Sequence, residues 1–190
     1  NSHPLVKTVM FTGSSRVGKH IGEICGKQMK HAVLELGGKS PLVILADADL
    51  ELAVKTAIFG MFLYQGQACM ASSRIIVEEG IYDQFIAAYK GAASQLSMGD
   101  LREMSTILGP IISQRQRVRR HIENAVENGA TIETGGNWQG NKCEPTILTG
   151  ITKEMDVCYE ETFGPVTSVY SVKDYDAALK MANDTPYGLS

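Results

Sequence analysis

Short apolar runs alternate with longer segments of helical period along this chain, and that alternation constrains its fold more than any other feature. Val6–Phe11, His31–Leu36, Pro41–Leu45, Arg74–Val77, Ala130–Thr134 and Val166–Val172 each read as a strand. Helices are predicted from the Thr12-Gly13-Ser14 turn to about Met29, from an Asp47 or Asp49 cap to Phe62, and over Tyr82–Leu96, Gln114–Asn128 and Asp174–Asn183. In the second of these, Leu50, Ala53, Val54, Ala57, Ile58, Met61 and Phe62 follow the i, i+3, i+4 rule. Gly129 stops the fourth, and Gly140–Pro145 reads as loop. Pro41–Leu45 is apolar throughout, as expected of a strand buried on both faces of a parallel sheet. The order predicts an α/β fold of mostly parallel sheets flanked by helices.

A chain of 190 residues, 44% apolar and 21% charged, can bury a core of one or two domains. Its net charge of −3 gives no reason to expect nucleic acid or an anionic membrane as partner. No apolar run approaches the roughly 20 residues that cross a bilayer. The N-terminus lacks both a signal-peptide pattern and a starting Met, so a processed product or a fragment is expected. Cys25, Cys69, Cys143 and Cys158 form no CxxC pair and match no zinc spacing. Reduced thiols in the cytoplasm are the expected state. The four histidines are scattered, so no metal site is expected.

Four segments carry chemistry. Cys69 lies in Phe62-Leu63-Tyr64-Gln65-Gly66-Gln67-Ala68-Cys69-Met70, and Glu35 in Leu34-Glu35-Leu36-Gly37-Gly38-Lys39-Ser40-Pro41. A thiolate can attack an electrophilic carbon, and a carboxylate can activate the water that releases the product. Phe11-Thr12-Gly13-Ser14-Ser15-Arg16-Val17-Gly18 is a strand, a small-residue turn and a helix start, which can aim backbone N–H groups at a phosphate. It does not meet GxGxxG. Glu160-Glu161-Thr162-Phe163-Gly164-Pro165-Val166 is an acidic turn before a strand. Each has a plainer reading: a buried thiol, a surface Glu at a strand end, a structural turn and a core Phe.

Together, and in this order, the four segments resemble the signatures of the aldehyde dehydrogenase superfamily. The resemblance implies Cys69 as nucleophile, passing through a thiohemiacetal and a thioester, and Glu35 as base for the deacylating water. It implies NAD or NADP as cofactor, held by Gly13, Ser14, Val17, Gly18, Leu36, Gly37, Glu161 and Phe163. Gly13 and Ser14 would lie by the pyrophosphate and Val17 by the adenine side. Glu161 would bond the nicotinamide ribose, with Phe163 packed at the same end. Residues 1–37 would be the last piece of the dinucleotide-binding domain and 38–190 most of a catalytic domain. The presence of Glu35 favours hydrolysis over acyl transfer to coenzyme A. Phe62-Leu63-Tyr64-Gln65 is similar to members that act on aromatic aldehydes. The parent would be a cytoplasmic homo-oligomer, a dimer or tetramer, acting on a small aldehyde. An oxyanion-binding Asn and the adenine-binding unit of the family fall upstream of residue 1, so the isolated chain is expected to turn over little.

Two alternatives stand beside this. The 190 residues could be a non-catalytic folding unit. Gly13 to Gly18-Lys19-His20 also falls one residue short of a P-loop, with Leu42–Asp47 posing as an apolar strand that ends in a Mg²⁺-binding Asp. His20 replaces the hydroxyl that such a metal needs. Arg115, Arg117, Arg119 and Arg120 read as a solvated helix face, and Trp138 as a surface or interface contact. Met10, Met29, Met61, Met70 and Met98 are expected to fill core gaps, Met70 alternatively lining an aldehyde tunnel. Cys25, Cys143 and Cys158 are expected to be structural.

Overall fold

A computed structural model describes residues 3–189. β1 (Thr8–Thr12) and β2 (His31–Glu35) form a parallel two-stranded sheet, joined by α1 (Ser15–Lys27). Their register sets Thr12 opposite Glu35 at the C-terminal end. α1 turns Ile21 and Cys25 inward.

The chain then leaves this sheet. Its next strand, β3 (Pro41–Ile44), opens a five-stranded sheet with β4 (Arg74–Glu78), β5 (Thr131–Thr134), β8 (Thr146–Thr149) and β9 (Val166–Val172), in the order β3-β4-β9-β8-β5. β3, β4, β9 and β8 run parallel, and β5 closes one edge antiparallel to β8. β6 (Trp138–Gln139) and β7 (Lys142–Cys143) make a small separate hairpin. The other helices are α2 (Leu50–Phe62), α3 (Glu79–Ser94), α4 (Arg115–Glu127), the short α5 (Asp156–Tyr159) and α6 (Tyr175–Asn183).

Strand alternation divides the core. Ile75 and Val77 of β4, Val169 of β9 and Ile147 of β8 pack under α2 and α3, against Ala57, Met61, Phe62, Phe85 and Tyr89. Phe85 and Phe62 both stack on Tyr89, with ring centroids 5.3 and 6.1 Å away. On the other face Ile76 and Val172 meet α6, while Leu148 and Val166 meet Val118, Ile122 and Ala125 of α4. Each such side chain contributes about 1.5–3 kcal/mol on full burial. The result is helices on both faces of the larger sheet. No helix among the described residues is long and apolar enough to cross a membrane.

Several expectations need correction. β1 runs over Thr8–Thr12 where Val6–Phe11 was expected, its burial alternates, and Met10 is 75% exposed. Met29 lies at positive φ in the turn after α1 and is 94% exposed, so neither it nor Met10 fills a core gap. Asp49, not Asp47, caps α2, its Oδ1 accepting from the Leu52 N–H at 2.9 Å. α3 begins three residues before the predicted Tyr82. β7 lies inside the segment read as loop, and β8 and α5 were not foreseen.

Candidate active site

The four chemical segments meet between the two sheets. The Gly13 turn and Glu35 stand at the C-terminal ends of β1 and β2. The segments holding Gly37–Gly38, Cys69 and Glu161–Phe163 directly precede β3, β4 and β9, at the N-terminal ends of parallel strands.

The Gly13 turn joins Glu35 directly. The Gly13 N–H donates to the Glu35 carbonyl at 3.0 Å. Ser14 caps α1, its Oγ accepting from the Val17 N–H at 3.4 Å. No acidic side chain occupies the first turn, so the positive end of the helix dipole is uncompensated. A Cβ on Gly18 would stand 2.4 Å from Leu36 Cδ2, so α1 packs tightly on the residue that follows Glu35. Glu35 itself is exposed.

Gly37 and Gly38 bring the other two segments in. A Cβ on Gly38 would fall 2.3 Å from the Cys69 carbonyl oxygen, and one on Gly37 would fall 2.8 Å from Glu161 Oε2. No larger residue fits without displacing backbone at the first or a carboxylate at the second. The Gly38 N–H donates to Glu161 Oε1 at 3.1 Å. Buried Arg74 then ties this segment down. Its Nε donates to the Lys39 carbonyl at 2.8 Å, while its Nη atoms donate to the carbonyls of Met181 and Ala182 at 2.9 and 2.8 Å, at the end of α6.

Cys69 is delivered by a reversal of the backbone. After α2, Tyr64, Gln65 and Gly66 all take left-handed conformations, with φ of 50°, 60° and 66°. Two of these are not glycine, a strained choice of roughly 1–2 kcal/mol per residue. Gly66 is required by space as well, since a Cβ there would meet the Gly164 carbonyl oxygen at 2.3 Å. A tight turn from Ala68 to Ala71 follows, closed by the Ala71 N–H on the Ala68 carbonyl at 3.1 Å. Cys69 is partly buried and Met70 is 64% exposed, so Met70 is not a core residue.

Phe163, partly buried, is itself left-handed at φ 56°. It sits where Gly164 is squeezed against Val118 of α4 and against Gly66. The turns of Phe163 and Cys69 are therefore packed on one another.

Burial raises the Glu161 pKa above the ordinary carboxylate value, opposed by the Gly38 N–H, Arg117 and Lys39. Lys39 is fully buried, and its Nζ has no hydrogen-bond partner among the described residues. Burial, and then Arg74, pull its pKa down to about 7.

Sequence reasoning missed the part played by α4. Arg117 Nη1 donates to the Glu161 carbonyl at 3.3 Å, Arg120 bonds both Asp156 and Glu160, and Arg119 lies 4.2 Å over the Trp138 ring. The basic run is therefore a bonded face, not simply a solvated one, and Trp138 has an intramolecular partner. His121 is completely buried among them. Its place at i+3 from Val118 and i−4 from Ala125, on the apolar side of the helix, was the available signal. Phe62 is core, 1% exposed, whereas Leu63 and Tyr64 are exposed.

The P-loop arrangement is not formed. Its glycine turn and its acidic strand would have to converge on one phosphate-bound Mg²⁺, but β1 and β3 belong to different sheets.

Comparison with known proteins identifies the family and the fold. The profile described as "Aldehyde dehydrogenase family" matches residues 1–190, and the chain belongs to that family. It is 42% identical over 190 residues to benzaldehyde dehydrogenase YfmT of Bacillus subtilis (strain 168), covering 99% of this chain and 39% of that protein. The fold superposes on an E. coli NADP-dependent enzyme with a TM-score of 0.95 at 38% identity, covering 98% of this chain and 40% of that one. It superposes on a Pseudomonas putida G7 salicylaldehyde dehydrogenase, complexed with salicylaldehyde, with a TM-score of 0.94 at 41% identity, covering 98% and 39%. The chain thus spans about two fifths of the length of these relatives, and its fold is that part of the aldehyde dehydrogenase fold.

Proposed function

We propose that the protein containing this chain oxidises an aldehyde to a carboxylic acid with NAD⁺ or NADP⁺ and water. The observation that carries the reading is the approach of Gly38 to the Cys69 carbonyl, which sets the Glu35 segment against the cysteine segment while Gly38 also bonds Glu161.

The chain offers a fitting cradle for a dinucleotide. The uncompensated N-terminus of α1, with Gly13, Ser14, Val17 and Gly18, suits a pyrophosphate. Leu36, Gly37, Glu161 and Phe163 suit the nicotinamide ribose end. When bound, the dinucleotide supplies the hydride acceptor. Residues 1–37 belong in this reading to the cofactor domain and 38–190 to the catalytic domain.

The Cys69 Sγ, as thiolate, adds to the aldehyde carbon and forms a carbon–sulfur bond, placing negative charge on the carbonyl oxygen. The Cys69 backbone N–H is a donor available for that oxygen. Loss of hydride from the same carbon leaves a thioester on Cys69. Glu35 takes a proton from water, the resulting hydroxide attacks the thioester carbon, and the carbon–sulfur bond breaks to release the acid and restore the thiolate.

Aromatic aldehydes are the favoured substrates. Phe59, Leu63, Tyr64 and Met70, at the end of α2 and in the segment that carries Cys69, expose apolar surface, and Phe59 and Leu63 line an apolar depression of about 330 Å³ with Ile58 and Ile107. The names of the benzaldehyde and salicylaldehyde relatives point the same way. A cytoplasmic homo-oligomer, dimer or tetramer, completes the proposal.

The test is benzaldehyde oxidation by the full-length protein and its Cys69→Ala variant, with alkylation of the four thiols read by mass spectrometry. Loss of turnover in the variant is expected, with Cys69 reacting faster than Cys158, which is also partly buried. Retained turnover, or equal thiol rates, overturns the assignment.

A further inference from the structure

The basic run on α4 is tied to the loop that carries Glu161. We propose that His121, with Arg117 and Arg120, is a positioning device that aims the Glu161 carboxylate at the dinucleotide. This rests on the reading of Glu161 as a cofactor contact.

His121 lies fully buried on the apolar side of α4. Its Nδ1 is 3.0 Å from Thr162 Oγ1 and its Nε2 is 3.2 Å from Glu160 Oε2. One ring thus holds the residues immediately before and after Glu161. The backbone of Glu161 is held as well: its carbonyl accepts from Arg117 Nη1 at 3.3 Å, and its N–H donates to Tyr187 Oη at 3.4 Å. Arg120 closes the outer side, bonding Asp156 Oδ2 at 3.1 Å and Glu160 Oε2 at 2.9 Å. The Gly38 N–H on Oε1 then fixes the carboxylate itself.

A neutral imidazole suits this task, since it can donate at one nitrogen and accept at the other. Burial, then the charges of Lys39 and Arg120, hold the His121 pKa down to about 3, so the ring carries no charge near neutral pH. His121, Asp156 and Glu160 also bring their ligand atoms within 4.8 Å of one another. Arg120 already bonds both of those carboxylates, so the group is a hydrogen-bond network and not a cation site. Glu161 stands against this frame, its backbone held at both ends and its Oε1 on the Gly38 N–H. A polar network of this kind, with His121 and Thr162 buried and Arg120 and Glu160 at its exposed edge, fixes geometry only when each member is satisfied.

The experiment uses the full-length enzyme with His121→Phe, His121→Asn, Glu161→Gln and the double variant His121→Phe/Glu161→Gln. His121→Phe is expected to raise the dinucleotide KM about fivefold, the scale of one lost hydrogen bond, and to leave the aldehyde KM within twofold. His121→Asn, which can still reach Thr162, recovers most of the loss. In the Glu161→Gln background the His121→Phe effect disappears, because both act through one carboxylate. Additive effects, or equal changes in both KM values, would overturn the inference and leave His121 as a packing residue. If Glu161→Gln alone leaves the dinucleotide KM unchanged, the reading of Glu161 fails and the inference falls with it. If Glu161→Gln moves that KM and His121→Phe does not, the inference alone fails. Should His121→Phe not fold, Thr162→Val removes the Nδ1 partner from the other side and carries the same expectations.

Discussion

Replacing Gly38 by Ala should damage this protein far beyond the size of one methyl group. The new Cβ would stand 2.3 Å from the Cys69 carbonyl oxygen. Carbon–oxygen contacts normally stand at about 3.3–3.6 Å, so one backbone must retreat by about 1 Å. Neither is free to do so. The Gly38 side is pinned by its own N–H on Glu161 and by Arg74 on the Lys39 carbonyl, and the Cys69 side by the turn from Ala68 to Ala71. Overpacking of this kind costs about 1–3 kcal/mol, and a 1 Å displacement between reacting groups costs on the order of 100-fold in rate. Urea denaturation would read the first and single-turnover formation of reduced dinucleotide the second, in the full-length enzyme. Gly91→Ala is the control: Gly91 is exposed within α3 and a Cβ there meets nothing within 4 Å, so this change should stabilise by about 0.5–1 kcal/mol. If Gly38→Ala matches wild type in both assays, the Glu35 and Cys69 segments are not packed together as described and the reasoning is refuted.

Two further outcomes follow from single groups. An unfolded lysine keeps its proton to about pH 10.4, whereas folded Lys39 gives it up at about 7. Between those values the unfolded state binds more protons, so stability should rise with pH, by up to about 1.4 kcal/mol per pH unit. Denaturation midpoints at pH 7 and 9.5 should therefore converge with those of Lys39→Met as pH rises, and a difference independent of pH would contradict the burial of a titrating amine. Asp49→Ala removes the cap of α2 and should cost about 1 kcal/mol in thermal unfolding, with little change in the aldehyde KM; no loss of stability would mean that the cap is idle.

What the sequence made legible was local. The continuous apolar run at Pro41 and the i, i+3, i+4 spacing from Leu50 to Phe62 correspond to β3 and α2 within a residue or so, because burial on two faces or on one stripe leaves a short-range pattern. The motifs around Glu35 and Cys69 could be picked out for the same reason, each being a contiguous frame. β8 was missed because Thr146-Ile147-Leu148-Thr149 is only four residues long and buried on both faces, so it has no alternation to detect. The β6–β7 hairpin has two residues in each strand, too few for any period. The arginines of α4 looked solvated because their partners, Asp156, Glu160 and Glu161, lie some 36 to 44 residues onward. The burial of Lys39 was equally hidden, since nothing in Gly-Gly-Lys marks a lysine as enclosed.

The account is tested most directly by mixing full-length Glu35→Gln enzyme with aldehyde and dinucleotide and weighing the peptide that contains Cys69. The expected result is one equivalent of reduced dinucleotide per site, followed by a stall, with the acyl group of the substrate held on that peptide. Continued turnover at the unmodified rate, with no acyl mass on Cys69, would contradict it.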